Sequence, residues 1–153
     1  MTVVYRNDGG SAQQGDNTIR EAIPVFDIFR GSARFPIGAT PLIAGSGNKA
    51  NASAAATLTG TSTTTVYITG FEITGSGATA ALPVTVTVAG LLGGSQLYTY
   101  NFAAGVLVGN TPLIVQFDPP LPASAVNTAI SVTCPASGSG GTNNTVVAHG
   151  YYV

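Results

Sequence analysis

Val84, Val86 and Val88 alternate with Thr85 and Thr87. That period of two predicts a β-strand with one buried face. Just upstream, a straight strand would place Val66, Ile68, Gly70 and Glu72 on one face and Tyr67, Thr69, Phe71 and Ile73 on the other. Neither set is polar, which predicts a strand covered on both sides. Between the two runs lie Gly75, Ser76, Gly77, Ala78, Thr79 and Ala80. These small residues have the chemistry of a hairpin connection and predict that the two strands form a hairpin.

The same device repeats along the chain. Strands are expected near residues 52–58, 64–74, 82–91, 96–103, 111–117, 128–134 and 145–152. Tyr98, Tyr100 and Phe102 share a face, as do Leu113, Val115 and Phe117, and Ile130, Val132 and Cys134. Turn chemistry separates them at Gly93-Gly94-Ser95, Gly105, Gly109-Asn110 and Ser137-Gly138-Ser139-Gly140-Gly141. Asp118-Pro119-Pro120-Leu121-Pro122 reads as a rigid loop, either capping the fold or offering a stiff docking surface, because prolines are excluded from a sheet interior. Short, evenly spaced strands without a helical period predict an all-β antiparallel sandwich with very little helix. One strand from the N-terminal segment would raise the count to eight, which suits a jelly roll. An immunoglobulin-like Greek key is the alternative, although the inner Trp and Cys pair of antibody domains are absent.

Residues 1–49 read differently from residues 50–153, which form the β-sandwich domain. Pro24 cuts a possible helical turn at residues 18–23, and Pro36 and Pro41 punctuate extended pieces. The apolar side chains here (Val25, Phe26, Ile28, Phe29, Phe35, Ile37, Leu42, Ile43) are too scattered to make a core of their own. The segment is expected to be an extended N-terminal arm, docking on a neighbour in trans rather than covering the β domain in cis.

Composition sharpens this picture. The chain of 153 residues is long enough for one domain with a real core. Only 7% of it is charged, against a usual ~25%. Arg6, Asp8, Asp16, Arg20, Glu21, Asp27, Arg30, Arg34 and Lys49 precede residue 50, and only Glu72 and Asp118 follow it. Edge strands of free monomers are usually protected by charge, so a β domain without it is expected to work inside an assembly. The net charge of −1 argues against a phosphate-binding surface, so no nucleic acid is expected. No apolar run is long enough for a transmembrane helix and no signal-peptide core precedes the domain, so no membrane partner is expected. Cys134, the sole cysteine, has no partner for an internal disulfide, which fits synthesis in a reducing cytoplasm.

Candidate chemistry is thin. His149 is the only histidine, too few for a zinc site, and reads as a structural or interface residue. Cys134 has no base or cation near it in sequence and reads as a small buried hydrophobe. There is no Gly-x-Ser-x-Gly elbow, and Glu72 and Asp118 show no sign of adjacency. The glycines near residue 140 lack the lysine and helix of a phosphate loop. Asn51 and Asn143 meet the glycosylation pattern, which carries no weight without secretion. No enzymatic activity, cofactor or metal is expected.

Three stretches carry a resemblance: Tyr67-Ile68-Thr69-Gly70-Phe71-Glu72-Ile73-Thr74-Gly75, Val84-Thr85-Val86-Thr87-Val88-Ala89-Gly90-Leu91-Leu92-Gly93-Gly94, and Val147-Ala148-His149-Gly150-Tyr151. In these the chain resembles small β-sandwich proteins of tailed bacteriophages and prophages, above all the capsid decoration, or cement, proteins with a jelly-roll-like fold. The resemblance covers residues 50–153. It implies a structural virion protein on the capsid exterior, a homotrimer or homodimer that clamps neighbouring major capsid subunits. No family site residues transfer one by one. From the arm chemistry, Phe26, Phe29, Arg30, Arg34 and Phe35 are expected to contact the capsid or a neighbouring subunit. The alternatives are a carbohydrate- or receptor-binding module of a virion fibre or tail, with Tyr98, Tyr100, Tyr151 and Tyr152 as exposed stacking platforms, and a minor head–tail structural protein.

Overall fold

The computed structural model describes residues 35–78, 80–105, 110–136 and 143–153. Two units are distinguished, residues 1–38 and residues 39–153. The second holds all nine described strands: β1 (Thr40–Gly45), β2 (Lys49–Ala50), β3 (Ala54–Leu58), β4 (Val66–Ser76), β5 (Leu82–Ala89), β6 (Gln96–Phe102), β7 (Leu113–Pro122), β8 (Ile130–Cys134) and β9 (Asn143–Tyr152). No helix occurs among the described residues.

The strands form two antiparallel sheets. The larger has the order β1-β9-β4-β7, with the two-residue β2 also on β9, and the smaller has the order β3-β8-β5-β6. Leaving β2 aside, the first principal strand pairs with the eighth (β1 with β9), the second with the seventh (β3 with β8), the third with the sixth (β4 with β7) and the fourth with the fifth (β5 with β6). This is one long antiparallel hairpin rolled into two sheets, the jelly roll. The immunoglobulin-like order does not occur.

The expected strands are all present, and the eighth comes from upstream as the count required. It is Thr40–Gly45, which pairs with β9 of its own chain from Thr40 opposite Tyr152 to Gly45 opposite Val147. Leu42, expected to dock in trans, packs against this domain's own core. The reason lies in the alternation of its burial: Leu42 and Ala44 turn inward and Ile43 outward, so one face of the segment belongs to the sandwich.

Two expectations are corrected by the topology. Residues 75–80 are not a hairpin, because β4 lies in the larger sheet and β5 in the smaller. The linker carries the chain from one sheet to the other, and only β5 and β6 are consecutive partners within a sheet. Small residues suit either connection; the choice was made by where the buried faces find cover. Nor is β4 a straight strand covered on both sides. Opposite β9, Ile68 pairs with Gly150 and Gly70 with His149, so Thr69 is an extra residue. This β-bulge reverses the alternation. Val66 and Ile68 point inward before it, Phe71 and Ile73 after it, and all four are fully buried.

The Asp118–Pro122 stretch is not a loop. It continues β7, with Leu121 opposite Ile68 and Pro122 opposite Tyr67. Gln116 pairs with Gly70, so residues 117–120 stand against Thr69 alone. The Asp118–Pro119 bond is cis. Prolines fit here because β7 is the edge of the larger sheet, where one side of the strand needs no ladder donors.

Between the sheets lies a core of Ala54, Leu58, Ile68, Phe71, Val86, Phe102, Ile130, Val132, Val146 and their neighbours. Phe71 sits at its centre, edge-on to Tyr98 at 5.3 Å and tilted against Phe117 at 6.2 Å. Each such buried aliphatic or aromatic side chain contributes about 1.5–3 kcal/mol relative to exposure. Cys134 is fully buried among them, as its alternation with Ile130 and Val132 predicted.

Candidate interaction face

The outer faces of the two sheets differ. On the smaller sheet, Thr87 stands opposite Thr133 and Leu97, Thr85 opposite Thr99, and Thr57 opposite Ser131. These are short hydroxyl side chains with one exposed leucine, Leu97. The larger sheet presents larger and more varied groups, and directly opposed residues share a face.

Three rows cross that larger sheet. In the first, Ile43 on β1 faces His149 on β9, then Gly70 on β4 and Gln116 on β7. In the second, Gly45 faces Val147, which faces Glu72, which faces Ile114. In the third, Pro41 faces Tyr151, Tyr67 and Pro122 in turn. Ile43 and Ile114 flank the middle of this face and are 76% and 59% exposed. The Tyr67 and Tyr151 rings stack with centroids 5.0 Å apart and planes 10° from parallel. Tyr151 is covered to 5% exposure, and burial, followed by the neighbouring Tyr67, pushes its phenol above the ordinary value of 10.0.

Glu72 and His149 meet at the centre of the face, Oε1 to Nε2 at 3.1 Å. A carboxylate accepts, so His149 donates from Nε2–H. The pair is half-exposed, and such pairs contribute about 0.2–1 kcal/mol. Its two groups fall short of the three protein ligands of a zinc site, and no cluster of three or more His, Cys, Asp or Glu occurs among the described residues. Lys49, Glu72 and Asp118 are the only Lys, Arg, Asp or Glu side chains among them. The face therefore has one Glu–His pair at its centre, with Ile43, Ile114 and the tyrosine stack around it and Gln116, Thr74 and Thr145 as uncharged polar groups.

No family model, curated protein or solved structure matches this chain.

Phe26, Phe29, Arg30 and Arg34 lie outside the described residues. Phe35 is half-buried in a bend of the first unit. The tyrosines expected as exposed stacking platforms are covered: Tyr100 and Tyr151 are each 5% exposed, and Tyr98 and Tyr152 pack against the core. The alternation that turns Tyr98 and Tyr100 toward the other sheet is the reason. Ile114 was missed, although its sign was present. Leu113, Val115 and Phe117 share the inner face, so an isoleucine between them must face outward. The Tyr67–Tyr151 stack had no sequence signal, because it depends on the β4–β9 register. Among the described residues no helix is long and apolar enough to cross a membrane.

Proposed function

We propose that this protein is a structural virion protein, a capsid decoration or cement protein of a tailed bacteriophage. It binds the outer capsid surface and stabilises contacts between major capsid subunits. The observation that supports this reading is the outer face of the larger sheet. There a helix-free double sheet, with three charged side chains across its described residues, exposes Ile43 and Ile114 around one Glu–His pair and a tyrosine stack. Apolar surface of this kind marks an interaction site. A partner that binds only the assembled lattice stabilises that lattice by mass action. The major capsid protein and further copies of this chain, as a homotrimer or homodimer, are the partners of this reading, and the capsid exterior is its location.

The test is the copy number of the protein in purified virions, measured by mass spectrometry against the major capsid protein. A copy number comparable to that of the capsid subunit supports the reading. A handful of copies points instead to a fibre, tail or connector component, and absence from the particle overturns the proposal. The variants Ile43→Glu and Ile114→Lys test the face itself. Both sites are exposed, so folding should change by no more than about 0.5 kcal/mol, while binding to empty capsids is lost.

A further inference from the structure

His149 is the only histidine in the chain. Its Nε2 lies 3.1 Å from Glu72 Oε1 on the outer face of the larger sheet. The pair sits between two exposed isoleucines, with Ile43 opposite His149 on β1 and Ile114 opposite Glu72 on β7. The His149 and Glu72 side chains are 37% and 44% exposed, so water still reaches both.

Among the described residues no cation compensates the Glu72 carboxylate. β1 contributes Ile43 to the surroundings of the pair, β4 contributes Gly70 and Tyr67, and β9 contributes Val147 and Tyr151. β7 contributes Gln116 and Ile114, with Asp118 further along this edge strand. Lys49 on β2 stands further along β9, opposite Asn144, which is buried. Burial raises the Tyr151 phenol above its ordinary value of 10.0, so it stays neutral near neutral pH. With His149 neutral, the pair carries one negative charge. With one proton bound it is neutral overall, whichever of the two groups holds that proton.

A partner laid across Ile43 and Ile114 must also cover the pair between them. Burying an uncompensated carboxylate is costly, and a group so buried takes up a proton instead. We propose that docking of this face onto the capsid takes up one proton into the Glu72–His149 pair, so that binding is tighter at pH 6 than at pH 8. This rests on the reading of the face as the capsid-binding surface. Histidine is the side chain whose charge ordinarily changes between pH 5 and 8, which places the coupling in that range. The bound state holds more protons than the free state, so raising the pH weakens binding, by at most about tenfold per pH unit for one proton.

The experiment is isothermal titration calorimetry of the full chain into empty capsids assembled without it. Titrations at pH 7.4 in phosphate and in Tris count the protons taken up, from the difference in heat. Uptake of at least about half a proton per bound copy is expected, with a Kd at least about threefold lower at pH 6 than at pH 8. Glu72→Gln removes the charge that docking penalises. It should bind more tightly than the parent chain at pH 8 and gain nothing on acidification. The double variant Glu72→Gln with His149→Gln should bind without proton uptake, which assigns the proton to the pair rather than to the capsid. Both positions are half-exposed, and the melting temperature checks that the variants fold. Binding of the parent chain without proton uptake, unchanged uptake in the double variant, or Glu72→Gln binding that still tightens on acidification overturns this proposal and leaves the capsid reading standing. Absence of binding at pH 6, 7 and 8 overturns the capsid reading and this proposal with it.

Discussion

His149 and Glu72 meet across β9 and β4 only because Thr69 has no counterpart on β9. Without the bulge, Glu72 would keep the phase of Val66 and Ile68 and point into the core, while His149 stayed outside. One extra residue thus turns Phe71 and Ile73 inward and brings the carboxylate out to the imidazole.

Deleting Thr69 is therefore expected to leave β4 able to fold as a regular strand, because Ile68–Gly150 and Gly70–His149 become consecutive pairs. Val66, Ile68, Phe71 and Ile73 then share one phase, so the cost should be confined to residues 117–120 of β7, which stand against Thr69. Thr69→Ala keeps the residue count and should cost less than about 1 kcal/mol. Urea denaturation of the two variants distinguishes a requirement for the extra residue from a requirement for threonine.

The Glu72–His149 pair should matter little to stability. A double-mutant cycle with Glu72→Gln and His149→Gln is expected to give a coupling of about 0.5 kcal/mol, as for other half-exposed side-chain pairs. A coupling several times larger would mean that the pair is a structural clasp rather than a surface feature.

Gly150 is needed for close approach. It lies opposite Ile68, and a Cβ there would collide with the Tyr67 carbonyl oxygen and press on Leu58 Cδ1. Backbone on β4 cannot yield without breaking the ladder. Gly150→Ala should lower stability by about 2 kcal/mol or more, measured by thermal or denaturant unfolding.

Alkaline pH should destabilise the fold. Burial pushes the Cys134 thiol above its ordinary value of 9.0, with a hydrogen bond from Asn144 opposing the shift. Burial also raises the phenols of Tyr98, Tyr100 and Tyr151 above 10.0. As pH rises past each ordinary value, the unfolded chain loses its proton first and the folded chain retains it. The unfolded state then binds fewer protons, so stability falls. These groups leave stability level below about pH 9, and the melting temperature should drop above it. Cys134→Ala should remove the earliest part of that drop. The native thiol should also react with a thiol reagent only after unfolding.

Some of this was legible because burial alternates along single strands. Val84, Val86 and Val88, or Ile130, Val132 and Cys134, declare their inner face without knowledge of any partner. The strand count followed from the same pattern, whereas the choice of a jelly roll over an immunoglobulin-like Greek key came from the strand pairing. The hairpin expected at residues 75–80 shows where such reading ends. Linker chemistry does not reveal whether the next strand joins the same sheet or crosses to the other. The candidate face shows the same limit. Ile114 was readable from its neighbours, whereas the meeting of Ile43, His149, Glu72 and Ile114 needs the β1-β9-β4-β7 order.

The amino-acid sequence by itself determined the class of fold, the strands, their turns and most inward side chains, because hydrophobic alternation and turn chemistry act within a few residues. Tertiary structure alone decided which strands pair, that Thr69 is a bulge, and that the Asp118–Pro122 stretch is edge strand. These depend on contacts between residues distant in sequence, Glu72 and His149 among them at a separation of 77 positions. A local pattern carries no information about register across such a gap.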